Sequence, residues 1–191
     1  RVRAELVRLL AAPRAVPVIH AMAAYGMLTA ILSVAPRLGV FERLAAIENA
    51  LGLVSDARLR LAALAIAVDE DAVRLAQHLR LSSDERNVLV LAGGLGTISP
   101  ALDTRALHGA LYRLGEDRYR QRVLLDWARC GAPAAADAWR QILALPARWP
   151  VPMPSTTPRF NAPASCGSRI FENCSTVPKR SGGSNRRPES G

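Results

Sequence analysis

Residues 103–129 read DTRALHGALYRLGEDRYRQRVLLDWAR, and this stretch settles the fold class. It predicts two helices, over 103–114 and 116–129, separated by Gly115. In the second, Tyr119, Val123 and Trp127 recur at the four-residue spacing of one helix face. Arg118, Arg122 and Arg129 fall along the other side, and Arg113 is close in sequence. A further helix follows over 134–145, after Gly131 and Pro133.

The same period runs upstream. Val2, Leu6, Leu9 and Leu10 keep helical spacing until Pro13 ends the segment. Helices are expected over 16–25 and 27–32, with Gly26 between them, and over 38–51, where Phe41, Leu44, Ile47 and Leu51 share a face. Ser55 or Asp56 can cap a helix over 57–68, whose Leu59, Leu61, Leu64 and Ile66 leave few exposed faces and make it central. Asp69, Glu70 and Asp71 put negative charge where the dipole of a new helix, 69–79, is positive. Ser82 and Glu85 have capping-box spacing and open a helix through Leu91, closed by Gly93-Gly94-Leu95-Gly96. No stretch alternates as a strand does. The chain is therefore expected to be all-α, a helical bundle or array of eight to nine helices. Composition agrees, since half of the 191 residues are apolar but only 5% are aromatic, which favours helix over sheet.

Residues 1–150 hold 19 Arg against 14 acidic groups, and residues 151–191 hold 6 basic against 2 acidic groups. The basic character is thus moderate in the helical part and concentrated after it. Lys179 is the only Lys among 25 basic residues. Arg suits phosphate because its planar guanidinium grips two oxygens at once, although an Arg- and Ala-rich composition also follows from a GC-rich genome.

Several function classes are excluded early. Cys130, Cys166 and Cys174 make neither a zinc pair nor a disulfide framework, which points to a reducing cytoplasm. His20, His78 and His108 are isolated, so metal hydrolase chemistry has no ligands. The run from Gly93 to Gly96 lacks the strand before it and the Lys-Ser or Lys-Thr after it that a phosphate loop needs, and reads as a turn. Trp127, Trp139 and Trp149 read as core. Residues 15–36 carry no Asp, Glu, Lys or Arg. Pro17, His20, Gly26, Thr29 and Ser33 interrupt them, so two short buried helices hinged near Gly26, and no membrane partner, are expected.

Three stretches carry a resemblance. Arg1-Val2-Arg3-Ala4-Glu5-Leu6 is similar to an R-I-x-x-E-L helix. Residues 78–85, HLRLSSDE, are similar to an L-x-L-S-N-x-E turn. Ala110-Leu111-Tyr112-Arg113-Leu114-Gly115, then Val123-Leu124-Leu125-Asp126-Trp127-Ala128-Arg129, then Arg148-Trp149-Pro150-Val151-Pro152, complete the series. In order and spacing these resemble the C-terminal region of the bacterial class II CCA-adding tRNA nucleotidyltransferase and poly(A) polymerase family.

The resemblance implies a remnant of neck helices over residues 1–30 and a helical, RNA-binding body over 31–150. It implies a partner, the acceptor and T arms of tRNA, and a missing N-terminal catalytic head in which magnesium would serve CCA addition. The head's D-x-D pair and the neck's E-D-x-x-R segment should lie before Arg1, so no catalytic residue and no cofactor are expected in this stretch. Asp69 and Asp71 have D-x-D spacing but sit at a helix start, where dipole complementarity suffices. Glu116-Asp117-Arg118-Tyr119-Arg120 fits E-D-x-x-R literally but lies far downstream of the R-I-x-x-E-L helix, so it reads as first-turn acids. What the resemblance leaves is tRNA holding, with Arg113, Arg118, Arg122 and Arg129 as candidate phosphate contacts. The bland reading of these is a solvated face on which Arg122 pairs with Asp126. An Arg-rich helical scaffold for a protein partner is the alternative from another class, and the poly(A) polymerase branch stays open.

After Trp149 the composition changes. Residues 151–191 contain no Leu and are rich in Ser, Pro, Gly, Asn and Arg, so a disordered C-terminal tail is expected. Ser181-Gly182-Gly183-Ser184-Asn185 can be encoded AGT-GGT-GGA-TCG-AAC, whose offset frame reads Trp-Trp-Ile-Glu, the run near which the resembled family ends. A frameshift close to Pro152 is the expectation that follows.

Overall fold

A computed structural model describes residues 1–94, 96–134 and 136–145, and the expectations for Trp149 and for the tail lie outside the described residues. Among the described residues there are ten helices and no strand. They are α1 (Val2–Ala11), α2 (Ala15–Ala24), α3 (Met27–Leu32), α4 (Leu38–Ala50), α5 (Ala57–Ala65), α6 (Asp69–His78), α7 (Ser83–Gly93), α8 (Thr104–Leu114), α9 (Glu116–Cys130) and α10 (Asp137–Leu143). The architecture is all-α, as the periodicity requires, but the expected count of eight to nine helices is corrected to ten among the described residues, with α2 and α3 separated by the left-handed Gly26.

The caps are local and follow the sequence. The Asp56 side chain accepts the Arg58 N–H at 2.9 Å, and Asp103 accepts that of Ala106 at 2.6 Å. Ser82 and Glu85 form a reciprocal box, in which the Ser82 N–H donates to Glu85 Oε2 at 2.7 Å and the Glu85 N–H to Ser82 Oγ at 3.4 Å. Such a cap satisfies donors that a helix start leaves without partners.

One apolar core runs from Leu6 to Ile142 and joins all ten helices. α5 is central, with every residue from Leu59 to Ile66 buried. α9 is the second hub: it packs against α4, α5, α7, α8 and α10, and everything from Arg122 to Ala128 is buried. The expectation that residues 15–36 form buried helices is corrected. Ala15, Ile19, Leu28 and Leu32 reach the core, while Val18, Tyr25 and Met27 are exposed, because α2 and α3 lie at its edge. Gly26 does make the hinge, at φ +70°.

A recurrent device closes the helix ends. The last carbonyls of a helix have no partner within it, and the C-terminus carries the negative end of the dipole. Here guanidiniums from distant segments fill that role. Arg60 donates to the Leu10 and Ala12 carbonyls at the end of α1, at 2.8 and 3.2 Å. Arg3 donates to Arg80 O beyond α6 at 3.2 Å, and Arg43 to Ala128 O in α9 at 2.6 Å. Ile66 O, just past α5, accepts from both Arg37 and Arg129, at 3.0 and 3.2 Å.

Candidate nucleic-acid interface

The expected stripe of Arg113, Arg118, Arg122 and Arg129 does not exist as one surface. α9 projects only its first turns to solvent and then enters the core. Its arginines therefore meet different fates along the same helix.

Arg122 is a structural residue, and its candidacy as a phosphate contact is corrected. It is 6% exposed, and its guanidinium donates to Leu91 O at 2.5 Å, to Gly94 O at 2.9 Å and to Gly96 O. These carbonyls belong to the end of α7 and the glycine turn, which the buried cation thereby holds. Nε donates to Asp126 Oδ2 at 2.9 Å, and the same oxygen accepts the Ile98 N–H at 2.9 Å. The expected i, i+4 pair thus forms, but buried rather than solvated. Charge-assisted bonds of this kind are about twice as strong as neutral ones, and the buried pair is acceptable because almost every donor is engaged.

Arg118 lies at the other end of this scale. It is exposed and has no ion pair or hydrogen bond among the described residues. It lines a groove of about 580 Å³ between the starts of α5, α7 and α9, together with Arg58, Arg120, Asp84, Asn87 and Asp117. Arg58 is held by Asp56 at 3.2 Å and Arg120 by Glu116 at 2.9 Å, so Arg118 is the groove's unengaged cation. Arg113 is likewise exposed, on α8, next to Tyr112, of which 92% is exposed.

Arg129 is partly buried. Its Nη2 donates to Ile66 O at 3.2 Å, and Nη1 lies 3.7 Å from Asp126 Oδ1. Burial pushes its pKa down; Asp126 opposes that shift, and the nearby Arg122 and Arg37 add to it. Arg37 and Arg43 were missed by the sequence reading. Nothing at positions 37 and 43 announces their partners, Ile66 O past α5 and Ala128 O in α9, since the pairings span 29 and 85 positions.

The decoys resolve as local structure. The Asp71 carboxylate accepts the N–H groups of Ala67 and Val68 at 3.0 and 3.2 Å, closing the start of α6. Asp69 and Asp71 therefore do not fit a magnesium ion, and no group of three or more His, Cys, Asp or Glu among the described residues could hold a metal. Glu116 pairs with Arg120, and Tyr119 between them is buried, its hydroxyl donating to Ile142 O at 3.1 Å. Burial raises the Tyr119 pKa. Trp127 and Trp139 stack at 5.9 Å between ring centroids, inside the core as expected.

Two of the stretches that carry the resemblance touch each other. Arg3 Nε lies 3.3 Å from Glu85 Oε1, and Arg3 also donates to Arg80 O. Burial by itself would raise the Glu85 pKa, but the Ser82 hydrogen bonds and Arg3 outweigh it and hold the carboxyl below its usual range. No helix of the described residues is long and apolar enough to cross a membrane. Compared with protein families, curated proteins and solved structures, the chain finds no match.

Proposed function

We propose that this chain holds tRNA, as the body of a CCA-adding nucleotidyltransferase would, and that it contributes contacts rather than chemistry to 3′-terminal CCA addition. The observation that carries the reading is Arg118, an exposed guanidinium without an internal partner, in a groove flanked by two further arginines. Phosphate contacts of an A-form helix need such cations on an otherwise rigid surface, and α9 is anchored in the core one turn further on. The catalytic head, its magnesium and the nucleotide-selecting segment would belong to a neighbouring domain. The chain alone is then expected to transfer no labelled ATP or CTP to tRNA.

The test is a salt-titrated tRNA binding assay on the full chain. Affinity is expected to fall steeply as salt rises, and Arg118→Gln should lower the slope of log K against log salt by about 1. Salt-independent binding, or none, overturns the reading. The alternative, a helical scaffold for a protein partner, draws on a different feature: an apolar groove of about 370 Å³ lined by Val2, Leu6, Leu9, Met22 and Ile31. It predicts no tRNA affinity at all.

A further inference from the structure

Arg37 and Arg129 come from separate parts of the chain and meet on the carbonyl that follows α5, while Arg43 reaches the last turn of α9. Arg37 Nη1 and Arg129 Nη2 share one acceptor, Ile66 O, at 3.0 and 3.2 Å, so these two nitrogens cannot be farther apart than the sum of those distances. Arg43 Nε donates to the carbonyl of Ala128, the residue before Arg129, at 2.6 Å. All three side chains remain partly open to solvent.

Their charge is not balanced internally. Asp126 is the carboxylate that faces the group, and it is shared: Oδ1 is 3.7 Å from Arg129, while Oδ2 serves Arg122 and the Ile98 N–H. Neither Arg37 nor Arg43 has an ion pair among the described residues. Glu42, beside Arg43 in sequence, pairs with His20 instead. Two like charges as close as those of Arg37 and Arg129 repel unless an anion lies between them.

Their hydrogen-bonding capacity is not exhausted either. A guanidinium carries five N–H donors, and the carbonyls take one from each of these side chains. Arg129 Nε is buried without a partner. A pair with excess positive charge and spare donors in planar forks matches a multivalent oxyanion, and a phosphate group supplies both the charge and the oxygens.

We infer that Arg37 and Arg129 form a phosphate-binding site. Only the source of that phosphate, the RNA backbone, rests on the function proposed above. The site lies at the far end of α9 from Arg118, so the two would hold separate phosphates.

The test uses the full chain in two arms. In the first, melting is followed in inorganic phosphate against chloride at matched ionic strength. The wild type should melt a few degrees higher in phosphate, by the mass-action stabilisation that any native-state ligand gives. Arg37→Gln and Arg129→Gln should each lose at least about half of that rise while still melting cooperatively. In the second arm, tRNA affinity should drop about three-fold or more in Arg37→Gln, with a salt slope smaller by about 1. No phosphate-specific rise in the wild type, or an unchanged rise in both variants, overturns the site whatever tRNA does. A rise lost in the variants while the wild type ignores tRNA upholds the site and removes the tRNA reading. A rise lost in the variants with tRNA affinity unchanged assigns the site to free phosphate. Should Arg37→Gln not fold, Arg37→Lys keeps the charge, removes the fork and should still weaken the phosphate effect.

Discussion

Arg60 Nε donates to Glu48 Oε2 at 2.7 Å, and the two side chains are only 2% and 1% exposed. The pair ties α5 to α4, and Nη1 of Arg60 closes the end of α1. Three helices therefore meet on one buried cation. Burial raises the Glu48 pKa, and the hydrogen bond and charge of Arg60 counteract this without cancelling it.

Removing one partner of such a pair leaves the other buried and uncompensated, which costs about 3–5 kcal/mol. Arg60→Ala should lose that much in urea unfolding, and Glu48→Gln a comparable amount, because it leaves the Arg60 charge buried without its carboxylate. A loss below about 1 kcal/mol for Arg60→Ala would show that the pair is not buried in solution.

Arg122 and Arg118 share a helix but should behave oppositely. Arg122→Leu strands Asp126 and frees the glycine turn, so a stability loss of several kcal/mol is expected, within about 3–5. Arg118→Gln touches nothing internal and should stay within about 0.5 kcal/mol of wild type, while weakening tRNA binding. Thermal melts beside binding titrations separate the two. An Arg122→Leu protein with unaltered stability and weakened RNA binding would contradict the structure.

Gly93 lies against the start of α6. A Cβ added there would come 2.5 Å from Asp69 Oδ1 and 2.8 Å from Asp69 Cα, and the second of these is backbone and cannot swing away. Gly93→Ala should therefore destabilise by about 1–3 kcal/mol, against the usual gain from replacing a helical glycine. A stabilised variant in a denaturant melt would mean that α6 and α7 are less closely packed.

Acid should weaken the fold partly through Glu85. Its folded pKa is lowered, by the Ser82 hydrogen bonds and Arg3 against the opposing effect of burial. The stability it adds is then complete above the ordinary glutamate pKa of about 4.3 and is lost as pH falls through the lowered folded value. Glu48 works the other way: its raised folded pKa means that its carboxylate costs stability as pH rises through that value. Glu85→Gln should narrow its deficit relative to wild type below about pH 4, measured by urea midpoints across pH. A gap that widens in acid would reverse the assigned sign.

Helix type, the positions of most ends and the caps at Asp56 and Ser82 were legible in the sequence, because periodicity and capping are local properties. The burial of α5 was also legible, since Leu59, Leu61, Leu64 and Ile66 leave no polar face. The fate of each arginine was not. Arg118 and Arg122 are one helical turn apart on α9 and look equivalent on a helix diagram, yet only tertiary packing decides that the first meets water and the second meets the carbonyls of α7. The same holds for Arg37, Arg43 and Arg129. Which distant helix end a guanidinium reaches depends on long-range contacts, and an orphan carbonyl leaves no mark on the residue type that carries it.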